Sequence, residues 1–340
     1  MTPPTDPAPA PAAATGPGAD RVVPTVGPVI APHLHLMTYN VRRRMPQVLT
    51  TRHALADRWS TRLPALRLLL EAERPSVLGI QEALPDQSAQ LADALGADYA
   101  SVGTGRDRDR GGERVELHVD TTRLRIVRHE ALWLSATPTV PGSRSYGNMI
   151  PRTAVHAELD DLVTGARLHV VVTHFDHLSA RSRRNSAVQL RTFTDALDGP
   201  VVVMGDFNAV VDSPAHRELT RGRLVDSRMV ADARLDPGWG SFSNYGPPRT
   251  GGRRLDWLLV DTGAHVERAG VGGVRPGGVA PSDHDPVHAV VRWPSGHAAP
   301  RPPEDPTAEH GPVEHRTTEH GPVEHHTAEH RTAEHRPEES

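Results

Sequence analysis

The run "VVVMGDFN" (residues 201–208) is apolar and β-branched until it breaks into Asp206, Phe207 and Asn208. Side chains alternate along a strand, so a carboxylate and an amide two residues apart face one way and Phe207 the other. The same kind of break recurs along the chain. "LMTYN" ends on Asn40, "LGIQE" on Glu82 and "VVVTHFDH" on His174 with Asp176 and His177, while "APSDHDP" sets Asp283 and His284 just before an apolar run. A core strand gains no stability from a terminal ionisable group. Strand ends gathered at one edge of a sheet are, however, where sites on α/β folds are built. Carboxylates and amides without thiols suit a hard divalent cation such as Mg²⁺, and two histidines beside it suit proton transfer at phosphorus. The set points to metal-assisted hydrolysis of a phosphate ester.

These residues need strands to carry them. Strand-like runs span 34–40, 76–82, 115–120, 152–159, 167–174, 201–206, 255–260 and 287–293. Several are apolar throughout, as in a sheet covered on both faces. Helical periodicity marks 60–73, 86–96 and 180–199, the last ending on a Gly stop signal. Long β stretches mixed with a few helices predict an α/β layered sandwich, not a simple alternating doubly wound sheet.

The 340 residues divide by composition. Residues 1–30 are rich in Pro, Ala and Gly, and 298–340 repeat Glu-His every five residues, a period that fits neither helix nor strand. Both ends are expected to be disordered, leaving one catalytic domain over 31–297. The seven tail histidines suit loose binding of transition metals. Net charge is −4, but between the tails 33 Arg face 30 Asp and Glu, so no basic surplus favours long duplex nucleic acid. There is no Lys, and Arg abundance is therefore largely a composition bias. The loop "GTGRDRDRGG" (103–112) alternates Arg with Asp and is not a basic clamp. No cysteine is present, which excludes disulfides, thiolate metal sites and a Cys nucleophile. With no secretory signal and no apolar run of membrane-spanning length, the expected location is cytoplasmic, with no membrane partner.

The motifs "TYN", "IQE", "THFDH", "GDFN", "RRLDW" and "SDHDP", in this order over residues 38–286, together resemble the endonuclease/exonuclease/phosphatase superfamily with its DNase I-like fold. "LWLSATPTVPGS" (132–143) followed by "IPRTAVHAEL" is similar to a bacterial branch of it. The resemblance implies a four-layer αββα sandwich, dependence on Mg²⁺ or Mn²⁺, and hydrolysis of phosphodiesters or phosphomonoesters. It implies that Asn40 and Glu82 form the first metal-site pair, with Glu82 the direct ligand, and that Asp283 is the terminal metal-linked acid. It further implies that Asp206 and Asn208 align the attacking water and hold the phosphate. His174 and His284 match the family's catalytic histidines, Glu113 a glutamate orienting the first and Asp256 the acid orienting the second.

Each residue alone has a plainer reading. Asn40 and Asp206–Asn208 suit turns, Glu82 a helix start, His174 a satisfied edge histidine, and Asp256 a partner for Arg253 or Arg254. Glu116 is an alternative to Glu113. Arg152 suits either a bidentate phosphate clamp or a surface position. Asp176 shares a face with His174, whereas His177 faces away unless the chain turns; these three are the candidate substrate contacts. Phe242 and Tyr245 in "SFSNYG" suit stacking on a base or sugar as well as loop packing. The expected function is a metal-dependent phosphoesterase acting on a small molecule or single-stranded nucleic acid. The other class to weigh is a catalytically silent binding module with a metal-buffering tail. Such a module is expected to have lost one of Glu82, Asp206, Asn208, Asp283 or His284, and all are present.

Overall fold

The computed structural model describes residues 22–46 and 55–294. The Glu-His tail and most of the amino-terminal tail lie outside the described residues. Thirteen strands run in chain order: β1 (Leu34–Asn40), β2 (Val77–Ala83), β3 (Tyr99–Gly105), β4 (Arg114–Asp120), β5 (Leu124–Trp133), β6 (Thr153–Asp161) and β7 (Arg167–His174), then β8 (Val201–Asp206), β9 (Leu224–Asp226), β10 (Ala233–Arg234), β11 (Asp256–Asp261), β12 (His265–Val271) and β13 (Val287–Arg292). The helices are α1 (Trp59–Glu73), α2 (Pro85–Leu95), α3 (Ala180–Asp195), α4 (Pro214–Leu219) and α5 (Ser227–Val230).

One sheet has the order β10-β12-β13-β1-β2-β4-β3 and the other β5-β6-β7-β8-β11-β9. Alternation decides what each face meets. Leu34 and Leu36 of β1, Val170 and Val172 of β7, Val202 and Met204 of β8, and Leu258 and Val260 of β11 join a core between the sheets. The alternate residues Met37 and Tyr39 pack with Leu66, Leu69 and Leu70 of α1 and with Leu91 and Leu95 of α2. Val201, Val203, Trp257 and Leu259 pack with Ala187 and Leu190 of α3 and Leu219 of α4. The result is the four-layer αββα sandwich of the DNase I-like fold. Gly79 of β2 marks a close approach of the sheets, because a Cβ there would come within 2.9 Å of Val172 Cγ2.

Local signals set the helix starts. Ser179 Oγ accepts from Ser182 N at 3.1 Å to open α3, and Ser213 caps α4 ahead of Pro214, whose missing N–H is no loss in a first turn. The periodicity carries α3 to Gly199, but the helix ends at Asp195. Ala196 N and Leu197 N there bond three residues back, to Phe193 O and Thr194 O, tightening the last turn. At the other end, Thr25, Val26 and Gly27, inside the expected amino-terminal tail, donate backbone N–H groups to the Glu73 carboxylate.

Candidate active site

The polar strand ends meet because they share a pleat parity. His174, Asp206 and Asp256 each lie two residues beyond an inter-sheet core position, on neighbouring strands whose register pairs His174 with Asp206 and Asp206 with Asp256. Asn40 has the same parity at the end of β1 in the facing sheet. Its Nδ2 donates to Asp206 Oδ2 and to Glu82 Oε1, both at 2.9 Å, joining the two sheets across the edge. Gly205 lets β8 sit so close to β7: its φ is 148°, and a Cβ would fall 2.0 Å from Thr173 O.

Glu82 departs from simple alternation. Gly79 faces the other sheet, so parity sends residue 82 towards the helices. A bulge between Gln81 and Ala83, with Glu82 at φ 68°, turns its carboxylate to Asn40 instead. Asn208 also departs from the extended geometry read from the sequence. The strand stops at Asp206, Asn208 sits at φ 49°, its N donates to Asp206 Oδ1 at 2.8 Å, and its Nδ2 donates to Phe175 O at 3.1 Å. Two non-glycine residues in left-handed backbone within one cluster are local strain of the kind functional sites retain.

His284 Nδ1 lies 2.8 Å from Asp256 Oδ2, which also accepts from Ser241 Oγ at 2.7 Å. Its Nε2 points to Asp206 Oδ2 at 3.8 Å, and the Phe242 ring meets the imidazole edge-on. The neighbouring Arg254 is taken by Asp226, which leaves Asp256 to the histidine. Asp283 lies 3.7 Å from Arg42. His174 Nε2 is 3.6 Å from Asp206 Oδ2 and 3.2 Å from Arg152 Nη1. Arg152 is buried, not on the surface, and its Nη2 donates to His177 Nδ1 at 2.8 Å. The chain therefore turns after His174, bringing His177 to the same guanidinium. Asp176 is 3.7 Å from Arg152 Nε, and its Oδ2 caps Leu178 N and Ser179 N ahead of α3.

Glu113 lines the cleft with Arg106, Arg152 and His174. Its oxygens are engaged by Arg106 and by Arg43 at 3.3 Å, so the close neighbours of His174 Nε2 are Arg152 and Asp206, where the resemblance implied an orienting glutamate. Glu116 is held away by Ser88 and Arg114. The sequence reading missed Ser241, Arg42 and Arg106. Arg42, two residues past Asn40, is the one that adjacency alone could have suggested.

The electrostatics separate the two histidines. Burial opposes charge on His284, but the Asp256 and Asp206 carboxylates outweigh it and raise its pKa well above the usual imidazole range. Burial and the Arg152 guanidinium lower His174 well below that range, consistent with a neutral ring accepting from the arginine. Burial, then the nearby Asp256 charge, pushes Asp206 up to about 7. Burial also raises Asp283, with Glu82 adding to it. On Glu82 burial is outweighed by the Asn40 hydrogen bond and Arg42, which lower its pKa. Four carboxylates, Glu82, Asp206, Asp256 and Asp283, thus crowd one edge, and two of them, Asp206 and Asp283, are pushed up by burial and by a neighbouring acid. Glu82 with Asp206 and His174, and Asp206 with Asp256 and His284, each bring ligand atoms within 4.8 Å. Such an oxygen-rich, over-charged donor set fits a hard divalent ion.

A four-layer sandwich with acids, amides and imidazoles at one strand edge is the architecture of DNase I-like phosphoester hydrolases. The sequence model of the endonuclease/exonuclease/phosphatase family matches residues 37–284, and the chain belongs to that family. Among solved structures it is similar to a family protein of Bacteroides thetaiotaomicron, at 27% identity and a TM-score of 0.70 over 77% of this chain and 98% of that one. It is equally similar to a mannosyl-6-phosphatase of the same organism, at 27% identity and a TM-score of 0.69 over 76% of this chain and 100% of that one. The human Nocturnin catalytic domain, at 18% identity and a TM-score of 0.59 over 78% and 96%, shares the fold. No curated protein matches the chain.

Proposed function

We propose that this chain is a divalent-metal-dependent phosphoesterase acting on a small phosphomonoester. The observation that carries the reading is the meeting at one edge of two hydrogen-bonded sets, Glu82–Asn40–Asp206 across both sheets and Asp256–His284, with His284 Nε2 3.8 Å from Asp206. Glu82, with Asn40 and Asp283, would hold Mg²⁺ or Mn²⁺. When bound, the ion polarises a phosphoryl oxygen and offsets charge in the transition state. Asp206, positioned by Asn40 and Asn208 N, accepts a proton from the attacking water. His284, held by Asp256, offers an N–H to phosphate oxygens and then to the leaving oxygen. His174 and Arg152 line the other side, where the guanidinium binds phosphate oxygens.

Two features favour a small substrate. The cleft at Arg106, Glu113 and His174 is nearly filled by its own side chains, with only about 10 Å³ of free space. On the His284 side, Phe242 and Tyr245 with Ser243, Asn244 and Arg249 line an open cavity of about 540 Å³, which accommodates a sugar-sized or nucleoside-sized group. The similar mannosyl-6-phosphatase tips the balance to a sugar-phosphate class.

The test is turnover by the purified full chain with Mg²⁺ on p-nitrophenyl phosphate, bis(p-nitrophenyl) phosphate, a set of sugar phosphates and short single-stranded oligonucleotides. The expected result is Mg²⁺-dependent release from sugar phosphates, abolished by Glu82→Gln with the thermal midpoint retained. Preferential cleavage of oligonucleotides would replace the substrate class. Absence of turnover on the whole panel would favour the silent binding module.

A further inference from the structure

His35, Glu73 and His288 form a second buried cluster, with one ligand atom from each within 4.8 Å of the others. His35 lies five residues before Asn40 on β1, roughly 16 Å along the strand, so the cluster is separate from the catalytic edge. β1 and β13 are paired, and both histidines have the parity that faces the helices, where Glu73 ends α1.

The hydrogen bonds fix which nitrogens are available. Gly27 O, 3.0 Å from His35 Nδ1, is an acceptor only, so Nδ1 carries the proton and Nε2 presents a lone pair. His288 Nδ1 stands 3.0 Å from that Nε2. His288 Nε2 is buried without a hydrogen-bond partner among the described residues and lies against Gly272, where a Cβ would come within 2.6 Å. Glu73 accepts from Thr25 N at 2.6 Å, Gly27 N at 3.0 Å and Val26 N at 3.1 Å. An imidazole that donates Nδ1–H to a backbone carbonyl, and a carboxylate fixed by backbone N–H groups, are the outer contacts that orient metal ligands. Two nitrogens on one tetrahedral ion stand roughly 3.3 Å apart, close to the spacing here.

We propose that His35, Glu73 and His288 bind a zinc-class divalent ion that fastens residues 25–27 to α1 and the first sheet. Two imidazoles and one carboxylate select Zn²⁺ over Mg²⁺, so this ion differs in class from the one the catalytic edge fits. On binding, the proton shared between the rings moves to His288 Nε2, the two facing nitrogens ligate, and water fills the fourth position.

The full chain, stripped with EDTA, is to be loaded with Zn²⁺ under saturating Mg²⁺ and then dialysed against a moderate chelator that clears the tail histidines. The wild type is expected to keep one zinc ion per chain more than His288→Gln, and a strong chelator should lower its thermal midpoint but leave that of the variant unchanged. Equal zinc content and equal chelator response would overturn the proposal. Because His288→Gln can perturb packing, Zn-edge anomalous scattering from crystals of the unmutated chain grown with Zn²⁺ gives a second readout. A peak between His35 Nε2, His288 Nδ1 and Glu73 is expected, and its absence would overturn the site whatever the variant does.

Discussion

His174 and His284 sit at 3.6 and 3.8 Å from the same Asp206 oxygen, yet their surroundings drive them to opposite charge states. In the proposed chemistry His284 works as the imidazolium. Its pKa is raised, so activity persists below that value and is lost as pH rises through it. Asp256→Asn removes the carboxylate that favours the charged ring and should move this alkaline limb to lower pH. A 10- to 100-fold loss of turnover, roughly the range for groups that orient a functional histidine, should accompany it. The check is kcat/KM against pH at saturating Mg²⁺; an unmoved limb would separate Asp256 from His284 function. At this scale the sequence was legible wherever pleat parity holds: Asn40, His174, Asp206 and Asp256 converge because each lies a whole number of alternations beyond an inter-sheet residue. Glu82 and Asn208 reach the site through left-handed backbone, which apolar alternation does not encode. The partners of Glu113 come from the 103–112 loop and from Arg43, contacts with no periodicity to read.

Strands covered on both faces were readable and edge strands were not. β1, β7 and β8 begin and end where their apolar runs do, because inter-sheet and helix layers both demand apolar residues. β3 and β5 lie at sheet edges, and β5 exposes much of its length, so "YASVGTG" and "LRIVRHEALW" carry little of that signal. The β7–β8 pair depends on Gly205. Gly205→Ala would drive a Cβ to 2.0 Å from Thr173 O and should destabilise the protein by about 3 kcal/mol, read as a lower denaturant midpoint. A midpoint near that of wild type would mean the strands can part without loss. The β9–α5 corner makes a pH prediction. Burial opposes ionisation of Asp226, but hydrogen bonds from His216 and Arg254 outweigh it and lower its pKa from 3.8 to about 2. A depressed folded-state pKa contributes stability that is complete above 3.8 and fades as pH falls through about 2. Asp226→Asn should therefore cost roughly 2 kcal/mol near neutrality and much less at pH about 2, compared by urea titration at both values.

The proposed catalytic edge draws on both sheets, and its named residues run from Asn40 to His284, all ahead of β13. The family match, residues 37–284, likewise ends before the Glu-His repeats begin. Composition is the ground for setting these regions apart, since a five-residue Glu-His period cannot present one apolar face to a core. The two ends also differ in the metals they suit: hard oxygen donors at the sheet edge, borderline imidazoles in the tail. Deleting residues 301–340 should leave Mg²⁺-dependent turnover and the thermal midpoint unchanged while weakening retention on immobilised Ni²⁺, because seven histidines are lost and the sandwich keeps its core. Turnover is to be measured at equal Mg²⁺ for both chains, and retention by imidazole elution. If the shortened chain loses catalysis while remaining folded, the tail reaches the active site and belongs to the enzyme; if it binds Ni²⁺ as firmly as before, the histidines responsible lie in the sandwich.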